Sequence, residues 1–180
     1  TWAPGSPTAG KGVGAYNLDG TLKSGAKVLY VTEATKTKVT MEINGKTLTG
    51  ISEITQQIKD KNKAGPVAIR IIGQVSLRDL SCPDMRSAYA IGVKEASQIT
   101  FEGVGNDATL MAGVASFKSS SIEIRNLGLM LWGGGKDGDG IALKNTVGAW
   151  IHNNDIFYGD AGSASDQAKG DGSMDLKDDS

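Results

Sequence analysis

The chain has 180 residues, 25 of them glycine, an apolar share of 39% and a formal net charge of -1. One ordinary domain with a core is within its means, and near-balanced charge removes the broad attraction that a nucleic-acid binder or a polybasic membrane anchor uses. A single cysteine, Cys82, and a single histidine, His152, exclude an internal disulfide and leave a Cys/His zinc site short of ligands. No apolar run is long enough to span a bilayer. The opening Thr1-Trp2-Ala3-Pro4-Gly5 carries no apolar signal segment, which is the expectation for a mature or excised chain.

The first sixty residues are polar and loop-rich, with strand-like stretches at Lys27–Thr32 and at Lys38–Ile43, where apolar and polar residues alternate. A helix is expected next, because Ile51, Ile54 and Ile58 fall on one face, and Gly65-Pro66 would end it. The run Val67-Ala68-Ile69-Arg70-Ile71-Ile72 then reads as a strand with strand neighbours on both sides.

From about residue 90 a unit recurs. Gly113–Ser119, Gly140–Asn145 and Gly172–Asp178 each give a glycine, a short alternating strand, an apolar residue, a lysine and a polar turn, with the lysines 26 and 33 residues apart. Longer strands follow the first two units, at Ile122–Leu127 and Trp150–Phe157, and Gln98–Gly103 is an earlier member of that series. Repeats of this length, built from short strands and polar turns, describe a solenoid whose coils share one apolar column. The expected fold is therefore all-β, a right-handed parallel β-helix. Asn126 and Asn154 are expected at matching turns, bonding up and down the axis. A sandwich of antiparallel hairpins is the rival, but Asn44-Gly45 is the one Asn-Gly connection suited to it and lies outside the repeats.

The Ile51/Ile54/Ile58 helix would plug one end of the solenoid. At the other end the third unit stops at Ser180, short of the long strand that should follow, which would leave its apolar face uncovered. The expectation is a single domain over 1–180, with a segment and cap over 1–65 and coils over 66–180, truncated at its C-terminal end. The remainder would be cleaved, on another chain or omitted.

Four carboxylates stand out. Asp137 and Asp139 precede one short strand in Gly134–Gly140, and Asp171 and Asp175 lie at the corresponding place one coil later. Coils about 4.8 Å apart would merge the pairs into one cluster, and close carboxylates repel unless a cation neutralises them. An all-oxygen set favours calcium over transition metals. Against this, Asp-Gly pairs are also ordinary turn residues. An EF-hand is excluded, since its twelfth loop position would be Gly148 in place of a bidentate Glu.

At these residues the chain resembles the extracellular pectate lyases of the parallel β-helix polysaccharide-lyase family. The resemblance runs from the helix near Ile51 through Ile99–Gly105 and Ile124–Leu127 to the end, and is carried by Gly134–Asp139, Trp150-Ile151-His152 and Asp171–Lys177. It implies that Asp137, Asp139, Asp171 and Asp175 bind calcium in a secreted enzyme that cleaves polygalacturonate by β-elimination. Lys177, on the same face as Asp175, becomes a candidate contact to a uronate carboxylate. Two departures stand beside it. The family usually reads Trp-Ile-Asp-His where this chain has Trp150-Ile151-His152-Asn153, and its catalytic Arg-x-Pro-x-x-Arg motif is not found in the 180 residues, so it is expected beyond Ser180. Trp150 is expected in core or turn packing and His152 in a structural role.

The implied chemistry removes the proton at C5 of a uronate while the C4 oxygen leaves, with calcium acidifying that proton by coordinating the C6 carboxylate. Two other classes compete: a calcium-stiffened binding or adhesion solenoid, and a β-helix glycoside hydrolase using Asp137, Asp139 and Asp171 as acid and base. The chain by itself is expected to be inactive.

Overall fold

Short alternating runs separated by polar corners build an architecture that is mostly strand, and the computed structural model describes it over residues 12–80, 90–133, 138–157 and 172–178. The elements in order are β1 (Lys27–Val31), β2 (Thr40–Ile43), β3 (Lys46–Thr49), α1 (Ile51–Gln57), β4 (Val67–Ser76), β5 (Ala90–Lys94), β6 (Ser97–Met111) and β7 (Gly113–Phe117). They continue with β8 (Ser120–Arg125), β9 (Gly128–Met130), β10 (Ile141–Lys144), β11 (Val147–His152), β12 (Asp155–Ile156) and β13 (Met174–Lys177). Among the described residues no helix is long and apolar enough to cross a membrane.

Two sheets contain nearly all of these strands. The larger runs β1-β4-β6-β8-β11, with β9 on β6 and β12 on β9, and the smaller runs β13-β10-β7-β5. Every pairing within them is parallel. From β4 onward the chain passes back and forth between the two sheets, with β8 and β9, and again β11 and β12, consecutive in the larger one. Inward residues of both, such as Ile99, Phe101, Ile122 and Ile124 against Ile91, Val114, Ile141 and Leu143, meet in one buried cluster. Parallel strands need crossovers rather than tight hairpins. Among the described strands the antiparallel hairpin is β2-β3, which turns at Asn44-Gly45, where both residues have positive φ, 53° and 71°, as the favoured two-residue turn requires.

The register revises the repeat in two places. Lys144 does pair with Lys177, but it stacks on Phe117 rather than Lys118. Lys118 instead occupies the corner, with φ 48°, level with Glu95, Asn145 and Asp178, which share that left-handed conformation. The Lys118-to-Lys144 spacing is thus one residue short of the structural repeat, while Lys144 to Lys177 matches it. Likewise Arg125 pairs with His152, so Asn126 matches Asn153 rather than Asn154. Both Asn126 and Asn154 still bond along the stack: Asn126 Nδ2 donates to the Gly103 carbonyl at 2.7 Å, and Asn154 Nδ2 to that of Ile124 at 2.8 Å. The glycine that opens β7 has a packing cause. A Cβ on Gly113 would come within 2.2 Å of the Asp139 carbonyl oxygen on the next layer.

Helix α1 stops at Gln57, well before Gly65-Pro66. Ile58 is the last apolar residue of its stripe, and the following 3-10 turn, Asp60–Asn62, carries the Asp60 N–H onto the Glu95 carbonyl at 2.8 Å. Ile51, Ile54 and Ile58 are buried, and α1 packs on β5, the end strand of the smaller sheet. At that sheet's opposite end, Met174 and Leu176 are 45% and 56% exposed, although Ile141 and Leu143, their partners on β10, are buried.

Candidate functional site

On β10 and β13 the alternation that sends Ile141 and Leu143 inward sends Ala142 and Lys144 outward. In-register pairing therefore puts Asp175 beside Ala142 and Lys177 beside Lys144 on the outer face of the smaller sheet. Asp175 and Lys177 form an ion pair, and Lys144 Nζ lies 3.1 Å from Asp178. Asp139 sits just before β10 and is buried. Its Oδ1 accepts the Gly172 N–H at 2.8 Å, while Gly140 N–H donates to the Gly172 carbonyl at 3.0 Å. The strand register thus ties Asp139 to the entry of β13, three residues ahead of Asp175.

Asp137 and Asp171 lie outside the described residues. Among the described residues no three His, Cys, Asp or Glu side chains gather as a metal-holding group. Asp139, which precedes β10 and is level with Gly172, and Asp175, three positions further along on β13, are both oxygen donors, a chemistry that fits a hard cation such as calcium.

The larger sheet carries a second polar constellation that inspection of the sequence did not single out. Its register forms a file across five strands, Tyr30–Arg70–Glu102–Arg125–His152, on the outer face. Glu102 is its hub: Arg70 Nε donates to Oε1 at 2.7 Å, Arg125 Nη2 to Oε2 at 2.7 Å, and the Tyr16 hydroxyl also donates to Oε1. Burial by itself would raise the Glu102 carboxyl, but the hydrogen bonds from Tyr16, Arg70 and Arg125 outweigh it and hold the group below the usual carboxylate range. Burial, and then the Glu102 carboxylate, push the Tyr16 phenol up.

One column over, Glu123 is fully buried. It accepts from Thr100 Oγ1 at 2.9 Å and Arg125 Nη1 at 3.3 Å, and its Oε1 lies 3.1 Å from His152 Nε2. Nδ1 of the same ring lies 2.7 Å from Asn153 Oδ1, so both ring nitrogens face acceptor oxygens. Trp150 stacks on His152 at 3.9 Å between centroids, so it covers the outer face and is not a core residue.

A strap of chain closes over this file. Ala15 N–H donates to Thr100 Oγ1, Gly14 N–H to Ser121 Oγ, and the Tyr16 ring lies 4.3 Å from the Arg125 guanidinium carbon. A cleft of about 180 Å³ remains at its edge, lined by Gly20, Glu102, Arg125, Asn126 and His152. A signal for the ladder was present in the sequence. Aligning Thr100-Phe101-Glu102, Glu123-Ile124-Arg125 and Trp150-Ile151-His152 places polar residues of opposite sign at the same outward stations.

The chain is similar in part to two curated proteins, "Pectate lyase 3" of Pectobacterium carotovorum and the protein of that name from Pectobacterium carotovorum subsp. carotovorum. Each is 38% identical over 74 residues, which is 40% of this chain and 20% of the relative. The chain thus spans about a fifth of the length of the curated relatives it matches. No family model matches the chain, and no solved structure does. The likeness suggests the pectate lyases at most.

Proposed function

We propose that the chain is part of a secreted, calcium-dependent pectate lyase that acts on polygalacturonate, built on a right-handed parallel β-helix. The partial likeness to Pectate lyase 3 carries this reading. The fold is supported by the repeated passage of the chain between two parallel sheets whose inward residues share one apolar cluster.

In this reading Asp137, Asp139, Asp171 and Asp175 hold the ion and Lys177 receives a uronate carboxylate. Bound calcium would supply Lewis acidity at that carboxylate. The protein's own part is to fix donors in advance. The Gly172 N–H locks one oxygen of Asp139, and the ion pair with Asp175 keeps Lys177 extended along the outer face, where an anionic sugar can exchange for the carboxylate. None of the 180 residues forms the arginine motif, so we expect no turnover from this chain alone.

Calorimetric titration with calcium tests the metal role. A binding heat in the native chain that weakens at least several-fold in Asp139→Asn and in Asp175→Asn supports it; no heat, or equal heats in both variants, overturns it. Product chemistry tests the reaction class once the chain is supplied with an arginine-bearing remainder. Ultraviolet absorbance of an unsaturated uronate supports the lyase, whereas new reducing ends without that absorbance would assign a glycoside hydrolase.

A further inference from the structure

Asp139 is 3% exposed, and a carboxylate that deep needs donors or a cation around it. The layers on either side fix the backbone that carries it. The Gly140 carbonyl accepts the Val114 N–H at 2.8 Å on β7, and Ile141 N–H donates to the Ser173 carbonyl at 3.0 Å on the approach to β13. The approach is close enough to require glycine on both sides of the contact. A Cβ on Gly172 would lie 2.8 Å from Asp139 Oδ1, and one on Gly140 would lie 2.7 Å from the Ser173 carbonyl oxygen.

Trp132 packs on Gly140 as well. Its Cδ2 and Cε2 would stand 3.2 and 3.3 Å from that Gly140 Cβ, so the shared edge of the two indole rings lies against the link between Asp139 and β10. Trp132 belongs to the apolar core and is itself 3% exposed. Its Nε1–H, bonded to the Cε2 that meets Gly140, is buried and has no acceptor among the described residues. A buried indole N–H ordinarily finds a partner. As a core residue alone, Trp132 would be a poor choice: its orphaned donor carries a desolvation cost that phenylalanine at the same place would not. The donor stands one residue from Asp139.

We infer that the Trp132 indole N–H is a donor kept for the Asp139 site, where it bonds a water oxygen carried by the cation that Asp139 holds. The cation rests on the calcium reading of Asp139; the orphaned N–H does not. A group retained for a site at a cost to the fold leaves a signature, because its removal weakens binding without weakening the protein. A residue that only fills the core does the reverse.

The test compares the native chain with Trp132→Phe, which keeps an aromatic ring in the core but deletes the N–H, and with Trp150→Phe, on the larger sheet. Calorimetry reads calcium affinity and urea unfolding reads stability. The expected result for Trp132→Phe is about a three- to ten-fold weaker calcium affinity with a urea midpoint no lower than native. Trp150→Phe should bind calcium as the native chain does. The native chain supplies a third readout. Of the indole N–H proton resonances of its three tryptophans, the one missing from Trp132→Phe should move downfield as calcium is added.

Native affinity in Trp132→Phe, a lowered midpoint in that variant, or an indole resonance that stays in place while calcium binds overturns the proposal. If the native chain gives no calcium heat, the metal reading fails and this role falls with it; a native heat that Trp132→Phe leaves unchanged removes this role alone.

Discussion

The two sheets share one core and one register, yet their outer faces treat charge in opposite ways. On the larger sheet Arg70, Glu102, Arg125, Glu123 and His152 neutralise one another beneath a strap that includes Gly14, Ala15 and Tyr16. On the smaller sheet Asp175, Lys144 and Lys177 stand partly exposed, in ion pairs that water and ligands can reach. A buried network with every donor matched makes a face rigid and unavailable. An exposed pair of the same charges contributes little to stability and exchanges partners easily. The first face is therefore tied into the fold, and the second leaves its charges open to exchange.

The largest break in this comparison is expected from Glu102→Ala. It strands two half-buried guanidiniums and the Tyr16 hydroxyl, and removing one partner of a buried pair costs about 3 to 5 kcal/mol. Urea unfolding should show that loss, while Lys144→Ala on the other face should stay within about 0.5 kcal/mol. Equal costs would mean that the two faces do not differ in kind.

Next comes Gly113→Ala, which tests the frame common to both faces. The new Cβ meets a backbone oxygen that no rotamer can move aside, so layers β7 and β10 must separate, at about 1 to 3 kcal/mol. Lys177 and Asp175 depend on the same register, so under the proposed calcium role any ion affinity should fall along with stability. A stable variant with native affinity would show that the layers yield without consequence.

These positions also show how far the sequence can be read. Apolar alternation exposed the strands, and the spacing of Ile51, Ile54 and Ile58 exposed the helix that covers β5. Alternation is blind to a one-residue offset between layers, because corners such as Lys118 and Asn145 absorb it with positive φ, and that offset displaced both the lysine and asparagine alignments. The Arg70–Glu102–Arg125 file stayed hidden for another reason. Each charge looks like an ordinary solvated residue until strands distant in sequence are laid side by side, and nothing in Gly14-Ala15-Tyr16 announces that it will cover them. Of the four acidic residues, Asp139 precedes β10 and Asp175 lies on β13, three positions beyond Gly172, while Asp137 and Asp171 lie outside the described residues.

A smaller effect is expected from acid. The Glu102 carboxyl titrates lower in the folded chain than in the unfolded one, so its contribution is complete above the unfolded value of about 4.3 and is lost as pH falls through the lower folded value. Unfolding free energy measured from pH 6 to pH 2 should therefore decline less steeply in Glu102→Gln than in the native chain. Parallel declines would place the acid sensitivity elsewhere.

The smallest and most selective change is Tyr16→Phe. It removes one hydroxyl from between Glu102 and Arg70 and leaves the ring over Arg125, so Glu102 keeps both arginines and the expected loss is about 1 to 2 kcal/mol. Because the phenol is raised by burial and by Glu102, its contribution is complete below the unfolded value of about 10 and disappears as pH rises through the folded one. Native stability should then fall faster than that of the variant on the alkaline side, the reverse of the acid arm, where both keep Glu102. If Tyr16→Phe instead costs as much as Glu102→Ala, the strap holds the ladder together, and the charges on the larger sheet are no more self-sufficient than those on the smaller.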